Sequence, residues 1–172
     1  MGQQEIKQAL DGAVDYLTSN RAEAKYTDSP ATARLAKPDA LAVDVTGPDN
    51  AHLQTDMPTS VGGTSSAPSP GWFLRAAEAS CVATLIGMRA AQLQIALQDV
   101  EVTVDSESDD YGILGISDDV PAGPLSTRIA VRITAANASI QLREIVDWAI
   151  DHCPVVDAVK RAVPINLEVT ID

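Results

Sequence analysis

Residues 69–93, SPGWFLRAAEASCVATLIGMRAAQL, are the stretch of sequence that decides the fold. Ser69 is a good helix N-cap and Pro70 is favoured at the first helical position, so a helix is predicted to begin here. The stretch carries only three charges, on Arg75, Glu78 and Arg89. The uncharged run at 79–88 is too short to span a bilayer. The pattern therefore predicts a long central helix that is buried inside the protein or against a second subunit.

The segments around this helix alternate between helical and extended patterns. Apolar residues at helical spacing predict helices over 3–20, from about Ser139 to Cys153, and a short one from Pro154 to Ala162. Period-two alternation or short apolar runs predict strands within 31–56, at 99–104, 111–116, 129–133 and 165–171. This order has no regular βαβ repeat, which predicts an α+β fold. We expect an N-terminal helix and linker over 1–30 and one domain over 31–172.

Composition limits the classes of partner. The 172 residues include 24 acidic and 12 basic side chains, which gives a net charge of −12 and a pI of about 4.4. Such a chain repels phosphate backbones and anionic lipid surfaces, so we expect neither nucleic acid nor membrane as a partner. The N-terminal sequence has no basic segment followed by an apolar one, so a cytoplasmic location is expected.

Metal and phosphate motifs are absent from the sequence. Two cysteines and two histidines are too few for a structural zinc site, and neither CxxC nor HExxH occurs. The acidic run 105–110 lacks the glycine and glutamate that a calcium loop needs. Gly62-Gly63 is not followed by the lysine of a phosphate-binding loop, so these glycines are expected to allow a sharp turn. No metal and no cofactor are predicted.

The two cysteines have two possible roles. Each one can be a small buried apolar residue, or the two together can form a redox pair. Cys153 continues the apolar stripe of its helix, and Cys81 lies among small residues of the central helix. Both thiols are therefore expected to face inward, where two packed helices can bring them together. The residues alone leave both interpretations open.

Three stretches together resemble the OsmC/Ohr family of thiol peroxidases. The first runs from 55 to 81, with a Gly-Gly loop, a helix started by proline and a cysteine eleven residues later. The second is the strand pattern VEVTV and STRIAVRITA, and the third is the helix ending in HCPV with the strand INLEVTI. The resemblance implies antiparallel sheets around a long buried central helix, in a homodimer of two interlocked chains. It also implies active sites at the subunit interface.

The resemblance also implies a reaction. Cys81 matches the cysteine that attacks peroxide, and Cys153 matches the cysteine that resolves the sulfenic acid. Organic hydroperoxides are the implied substrates, and a dithiol, often a lipoyl group, is the implied reductant. No metal or organic cofactor is implied.

The charged partners of the family's cysteine are displaced in this chain. The family lowers the thiol pKa with an arginine held by a glutamate, but Gly71 stands where that glutamate normally follows the proline. Arg34, Lys37 and Arg75 are the candidate cations. Glu78, one turn before Cys81, is the candidate partner that holds the cation.

Two further hypotheses remain open. Trp72 and Phe73 can line a pocket for an apolar peroxide, or they can be ordinary core residues. The chain can be an enzyme, or it can be a related dimer that binds a small apolar molecule or senses oxidants without efficient peroxidase activity.

Overall fold

The computed structural model describes residues 2–136 and 139–171. Its helices are α1 (Gln3–Ser19), α2 (Pro70–Gln92), α3 (Asp110–Ile113), α4 (Ser139–His152) and α5 (Pro154–Lys160). Its strands are β1 (Thr32–Leu35), β2 (Val43–Thr46), β3 (His52–Thr55), β4 (Leu97–Glu107) and β5 (Ser126–Ala135). Two compact units are present, Asp11–Ala76 and the combination of Met1–Leu10 with Ala77–Asp172. The mixture of helices with antiparallel sheets confirms the predicted fold class.

The unit Asp11–Ala76 is built on a three-stranded antiparallel sheet in the order β1-β2-β3. Thr32 pairs with Thr46, and Val43 pairs with Thr55. The turn between β2 and β3 places Asp49 and Asn50 at positive φ, which these two residue types tolerate better than most. The hairpin predicted within 31–56 is therefore confirmed.

A buried carboxylate organises the loop between β3 and α2. Asp56 is 2% exposed and accepts five hydrogen bonds. The donors are the N–H of Met57 at 2.7 Å, the N–H and hydroxyl of Thr64 at 3.0 and 2.6 Å, and those of Ser66 at 3.0 and 2.9 Å. These hydrogen bonds hold the pKa of Asp56 far below its ordinary value of 3.8, and the bond from the Thr64 hydroxyl has the largest effect.

Gly63 is required where the same loop folds back on itself. A Cβ at this position would lie 1.9 Å from the carbonyl oxygen of Met57, so no larger residue fits without moving the backbone. The preceding Gly62 has a φ of 92°, which favours glycine. The sharp turn predicted for the Gly-Gly pair is confirmed.

The ionised form of Asp56 should stabilise the fold in a pH-dependent way. Because its pKa is depressed in the folded state, the stabilisation is present above the unfolded pKa of 3.8 and is lost as the pH falls toward the folded value. We expect the stability advantage of the wild type over Asp56→Asn to shrink between about pH 5 and about pH 2. Urea unfolding at each pH measures it. A difference between the two proteins that stays constant with pH would contradict this role.

In the other unit, β4 and β5 form a two-stranded antiparallel ribbon. Glu101 pairs with Arg132 and Asp105 with Arg128, so the exposed face carries ion pairs between opposed residues. The opposite face is apolar, with Val100, Val102 and Val104 against Ile133, Val131 and Ile129. This alternation is the half-buried pattern that the sequence predicts.

The apolar face of the ribbon packs on a core formed by α2, α4 and α5. Its fully or nearly fully buried members are Val82, Ile86, Ala90, Ile145, Ala149, Cys153 and Val156. The stripe predicted on the second helix is thus the buried face of α4. The apolar stretch of α2 supplies the residues that pack in the same cluster as this face of α4, as expected of a central helix.

Truncating this core should be costly, and α4 offers a matched pair of isoleucines. Ile145 is 0% exposed and Ile140 is 77% exposed. We expect Ile145→Ala to lower the free energy of unfolding by about 2–5 kcal/mol, because it removes buried methyl groups and leaves a cavity. Ile140→Ala should change it by less than about 0.5 kcal/mol. Equal effects of the two substitutions in urea unfolding would contradict this assignment of the core.

Two predicted strands are wrong for this chain. Residues 111–116 begin instead within the helical turn α3, because the Asp109 side chain accepts a hydrogen bond from the N–H of Tyr111 at 3.0 Å and caps that turn. Residues 165–171 form neither strand nor helix. Their alternating apolar side chains remain exposed to solvent, from 69% at Val169 to 91% at Ile171.

Candidate active site

The two cysteines lie on different elements of the same unit. Cys81 sits in the middle of α2, where it is partly buried and packs against the buried cluster. Cys153 is 0% exposed and is the residue between α4 and α5, at the N-cap of α5. Pro154 cannot continue α4, so the chain breaks at this point and turns the Cys153 side chain into the core. Both cysteines are free thiols.

The surroundings of Cys81, Cys153 among them, change the pKa of its thiol. Burial raises the pKa of Cys81 above its ordinary value, and the thiol hydrogen bond and charge of Cys153 raise the pKa further. The N–H of Val155 opposes these effects by hydrogen bonding to Cys81. Cys81 therefore packs against the buried cluster that contains Cys153, and the two cysteines are not joined by a disulfide bond.

The first turn of α5 donates to both sulfurs. The N–H of Val156 donates to Sγ of Cys153 at 3.5 Å, and the N–H of Val155 donates a hydrogen bond to the thiol of Cys81. These N–H groups have no partner inside the helix, so they can stabilise negative charge on sulfur. Sequence reasoning missed both valines because the donors are backbone groups. The HCPV motif was the signal, since proline after a capping residue starts a helix.

Glu78 lies one turn before Cys81 on α2. It is 2% exposed, although carboxylates are rarely buried without a partner. The structure gives its side chain an interaction with other groups. A buried carboxylate beside the candidate nucleophile can either hold a cation there or oppose formation of the thiolate.

The candidate cations lie outside the unit that holds the cysteines. Arg34 is exposed on β1, in register with Asp44, and Lys37 is exposed in the turn after β1. Nη1 of Arg75 lies 3.8 Å from where a Cβ on Gly71 would be, so its guanidinium lies along the first turn of α2. Among the described residues, no lysine or arginine contributes to the shifted pKa of Cys81.

The two aromatic residues at the start of α2 contact each other. Trp72 and Phe73 meet edge to face with ring centroids 5.0 Å apart. Trp72 is 47% exposed. It is therefore not a core residue, which was one of the two roles predicted for it.

His152 precedes Cys153 but is directed elsewhere. Its ring stacks on Trp148 with centroids 4.2 Å apart, and its Nδ1 lies 2.8 Å from the Trp148 carbonyl oxygen. The guanidinium of Arg89 lies 5.0 Å from the Trp148 ring. Direct activation of Cys153 by this histidine is therefore not supported. Nothing in the sequence pattern indicated the cluster of Arg89, Trp148 and His152.

Neither a cluster of metal-ligating side chains nor a membrane-spanning helix is found in the part of the chain that the structure describes. Over 2–136 and 139–171, no three His, Cys, Asp or Glu side chains converge on a point where a metal ion could bind. In the same ranges, every helix is too short or too polar to cross a membrane.

The family model for OsmC-like proteins matches residues 63–168. This range contains Gly63 and the rest of the loop before α2, the whole of α2, both cysteines and the ribbon of β4 and β5. No curated protein sequence matches the chain significantly.

Solved structures share the fold at low sequence identity. The organic hydroperoxide resistance protein OsmC of Legionella pneumophila is 22% identical, with a TM-score of 0.57 over 79% of this chain and 91% of that one. The OsmC-like protein of Mycoplasma pneumoniae is 16% identical, with a TM-score of 0.66 over 79% and 89%. OhrB of Bacillus subtilis, an organic hydroperoxide resistance protein, is 19% identical, with a TM-score of 0.51 over 78% and 91%.

Proposed function

This chain belongs to the OsmC-like protein family, and we propose that it is a cytoplasmic thiol peroxidase that reduces organic hydroperoxides with Cys81 and Cys153. The observation that supports the proposal is that the OsmC-like family model covers both cysteines and that Cys81 packs against the buried cluster that contains Cys153. A peroxidase that resolves its own sulfenic acid needs both sulfurs within reach of each other.

The proposed reaction begins at Cys81. Its thiolate attacks the outer peroxide oxygen, the O–O bond breaks, and the alkoxide takes a proton and leaves as an alcohol. Cys81 is then a sulfenic acid, oxidised by two electrons. The Cys153 thiol displaces its hydroxyl group, which leaves as water, and a disulfide forms. An external dithiol, of which a lipoyl group is the proposed example, reduces the disulfide by exchange and becomes oxidised itself.

The proposed unit of function is a homodimer. Large apolar side chains are exposed on the three-stranded sheet, including Leu35 at 54% and Leu53 at 38%. A chain of this size normally covers such residues, and a second copy is the simplest cover. A second copy can also bring a cation to Cys81.

The proposed activating cation is Arg34 or Lys37, held at Cys81 by Glu78. Without a cation, the raised pKa of Cys81 leaves very little thiolate at neutral pH. The buried carboxylate of Glu78 lies one turn before Cys81, so it is placed to orient a guanidinium or ammonium there. Arg75 stays a third candidate, although its guanidinium lies on the first turn of α2.

Substitution tests this assignment. We expect Glu78→Gln to slow peroxide oxidation of Cys81 by at least about tenfold, because the cation loses its carboxylate partner. Whichever of Arg34→Met, Lys37→Met and Arg75→Met removes the cation should slow the reaction similarly and shift its pH midpoint upward, and the other two serve as matched controls. Stopped-flow thiol loss against pH measures both. Faster oxidation by Glu78→Gln would contradict the assignment and identify Glu78 as an opposing charge.

Turnover tests the proposed function as a whole. The reduced protein is mixed with cumene hydroperoxide and dihydrolipoamide, and peroxide consumption is followed. We expect many turnovers per chain in the wild type and none in Cys81→Ser. Consumption no faster than in the absence of protein would overturn the peroxidase.

The second candidate function is a non-enzymatic dimer that binds a small apolar molecule or senses oxidants slowly. Two observations favour it, namely Gly71 at the family's glutamate position and the raised pKa of Cys81. It predicts thiol oxidation over minutes or longer at stoichiometric peroxide. The turnover experiment therefore separates the two functions.

A further inference from the structure

Three side chains join α2, which carries Cys81, to the end of α4. The guanidinium of Arg89, on α2, lies 5.0 Å from the ring centroid of Trp148, on α4. The imidazole of His152 stacks on the same side chain, with ring centroids 4.2 Å apart and ring planes 14° apart. Trp148 in turn packs against the buried cluster that contains Cys153. The stack of Arg89, Trp148 and His152 has no part in the proposed peroxide chemistry.

The imidazole of His152 is held at two points, although the residue is exposed. Besides the stack, its Nδ1 lies 2.8 Å from the carbonyl oxygen of Trp148, and Nδ1 is the donor because a carbonyl oxygen only accepts. The guanidinium of Arg89 is held as well, since its Nη1 donates to Oε1 of Gln92 at 3.2 Å. Both contacts of the imidazole therefore go to one residue of α4, which is itself in contact with α2.

The end of α4 is a place where such an anchor matters. Pro154 has no N–H, so the carbonyl of Ile150 lacks the helical donor that would close the last turn. His152 is the last residue of α4, and Cys153 follows it directly. The direction in which the chain leaves α4 therefore decides where the thiol of Cys153 points. Cys153 is 0% exposed, in the cluster against which Cys81 packs.

We propose that His152 is a positioning residue for Cys153. Its stack on Trp148 and its hydrogen bond to the Trp148 carbonyl fix the last turn of α4, and Arg89 ties the indole to α2. The thiol of Cys153 is thereby held in the cluster against which Cys81 packs, where it condenses with the sulfenic acid. This inference rests on the proposed cysteine pair. It assigns no proton transfer to the imidazole, because the ring is directed to Trp148.

The disulfide equilibrium measures the position of Cys153 without any peroxide. The full chain is equilibrated with reduced and oxidised glutathione, and each disulfide that forms between Cys81 and Cys153 reduces one oxidised glutathione to two thiols. Thiol trapping gives the fraction of chains that carry this disulfide. We expect His152→Ala to lower its equilibrium constant by about tenfold or more, because a loosely held Cys153 meets Cys81 less often. The control Asp151→Ala, at the exposed preceding residue, should change it by less than about threefold.

Two further readouts separate positioning from a general loss of structure. His152→Phe keeps a ring that stacks on Trp148, so it should recover most of the lost disulfide equilibrium constant. With cumene hydroperoxide, His152→Ala should oxidise Cys81 at the wild-type rate and then accumulate a sulfenic acid that dimedone labels. A variant that had lost its fold would show neither the recovery nor the unchanged first step.

The wild type alone tests the stack in solution, even where a variant fails to fold. The chain has two histidines, so the imidazole proton signals are assigned with the single variant His52→Gln. We expect the signals of His152 to lie upfield of those of His52, because the indole of Trp148 shields the ring that stacks on it.

Three results would overturn the positioning role: a disulfide equilibrium constant that is unchanged or higher in His152→Ala, an equal loss in Asp151→Ala, or unshifted His152 signals in the wild type. If the chain passes these tests but leaves peroxide unreduced, only the proposed peroxidase fails. If peroxide turnover is normal and His152→Ala forms the disulfide as readily as the wild type, only the positioning role fails. A wild type that forms no disulfide between Cys81 and Cys153 in any buffer would overturn both.

Discussion

Replacing Cys81 by serine should abolish peroxide-dependent oxidation of the protein. We expect the rate of Cys153 thiol loss with stoichiometric cumene hydroperoxide to fall by at least about a hundredfold, because a serine hydroxyl cannot act as the nucleophile. The fold should survive, since Cys81 is only partly buried and serine is smaller. Thiol titration after quenching measures the loss, and circular dichroism checks the fold.

The matched control for this substitution is Ser80→Ala, one residue earlier on α2 and exposed. It should oxidise at the wild-type rate. If Cys81→Ser instead loses its remaining thiol as fast as the wild type does, Cys153 is the residue that meets peroxide, and the proposed order of the two cysteines is reversed.

Replacing Cys153 by serine should separate the first chemical step from turnover. Cys81 still attacks peroxide, but no second thiol is present to condense with the sulfenic acid. We expect one equivalent of peroxide to be consumed at near the wild-type rate, after which catalysis with dihydrolipoamide slows by at least about tenfold. Dimedone, which traps sulfenic acids, should label Cys81 in this variant and not in the wild type.

The position of Cys153 makes serine a suitable replacement. Its side chain caps α5 by accepting the N–H of Val156, and serine is among the preferred N-cap residues. The variant should therefore keep α5 and its two N–H donors in place. Undiminished turnover in Cys153→Ser would show that an external thiol resolves Cys81, and would remove Cys153 from the mechanism.

The parts of the fold that could be predicted from the sequence are those with strong local signals. Ser69 and Pro70 mark the start of α2, and the Ser69 hydroxyl does accept from the N–H of Trp72 at 3.3 Å. The stripe through Ile145, Ala149 and Cys153 identifies the buried face of α4. In these places capping, periodicity and burial all favour the same structure.

The wrong predictions come from segments where local and tertiary preferences differ. Tyr111 and the apolar residues after it have strand propensity, but the carboxylate of Asp109 caps a helical turn instead. Residues 165–171 have the pattern of a strand, yet they pair with no strand in the part of the chain that the structure describes. A pattern of alternating residues predicts an extended conformation, but it does not predict which strand the segment pairs with.

The candidate site was predictable only in its side chains. The two cysteines could be placed on inward-facing positions because each one lies on an apolar helix face. The N–H donors of Val155 and Val156 and the burial of Glu78 depend on how the helices pack, and no sequence spacing encodes them. The boundary predicted at residue 30 stays untested.

Intact-mass analysis after a single turnover tests the central claim most directly. Fully reduced protein receives one equivalent of cumene hydroperoxide and no reductant, and is then digested without reduction. We predict that each chain loses two hydrogen atoms within seconds and that one cross-linked peptide pair joins Cys81 to Cys153. Chains that keep both thiols at this stoichiometry, or that stop at a sulfenic acid on Cys81 while Cys153 stays reduced, would contradict the proposed cysteine pair.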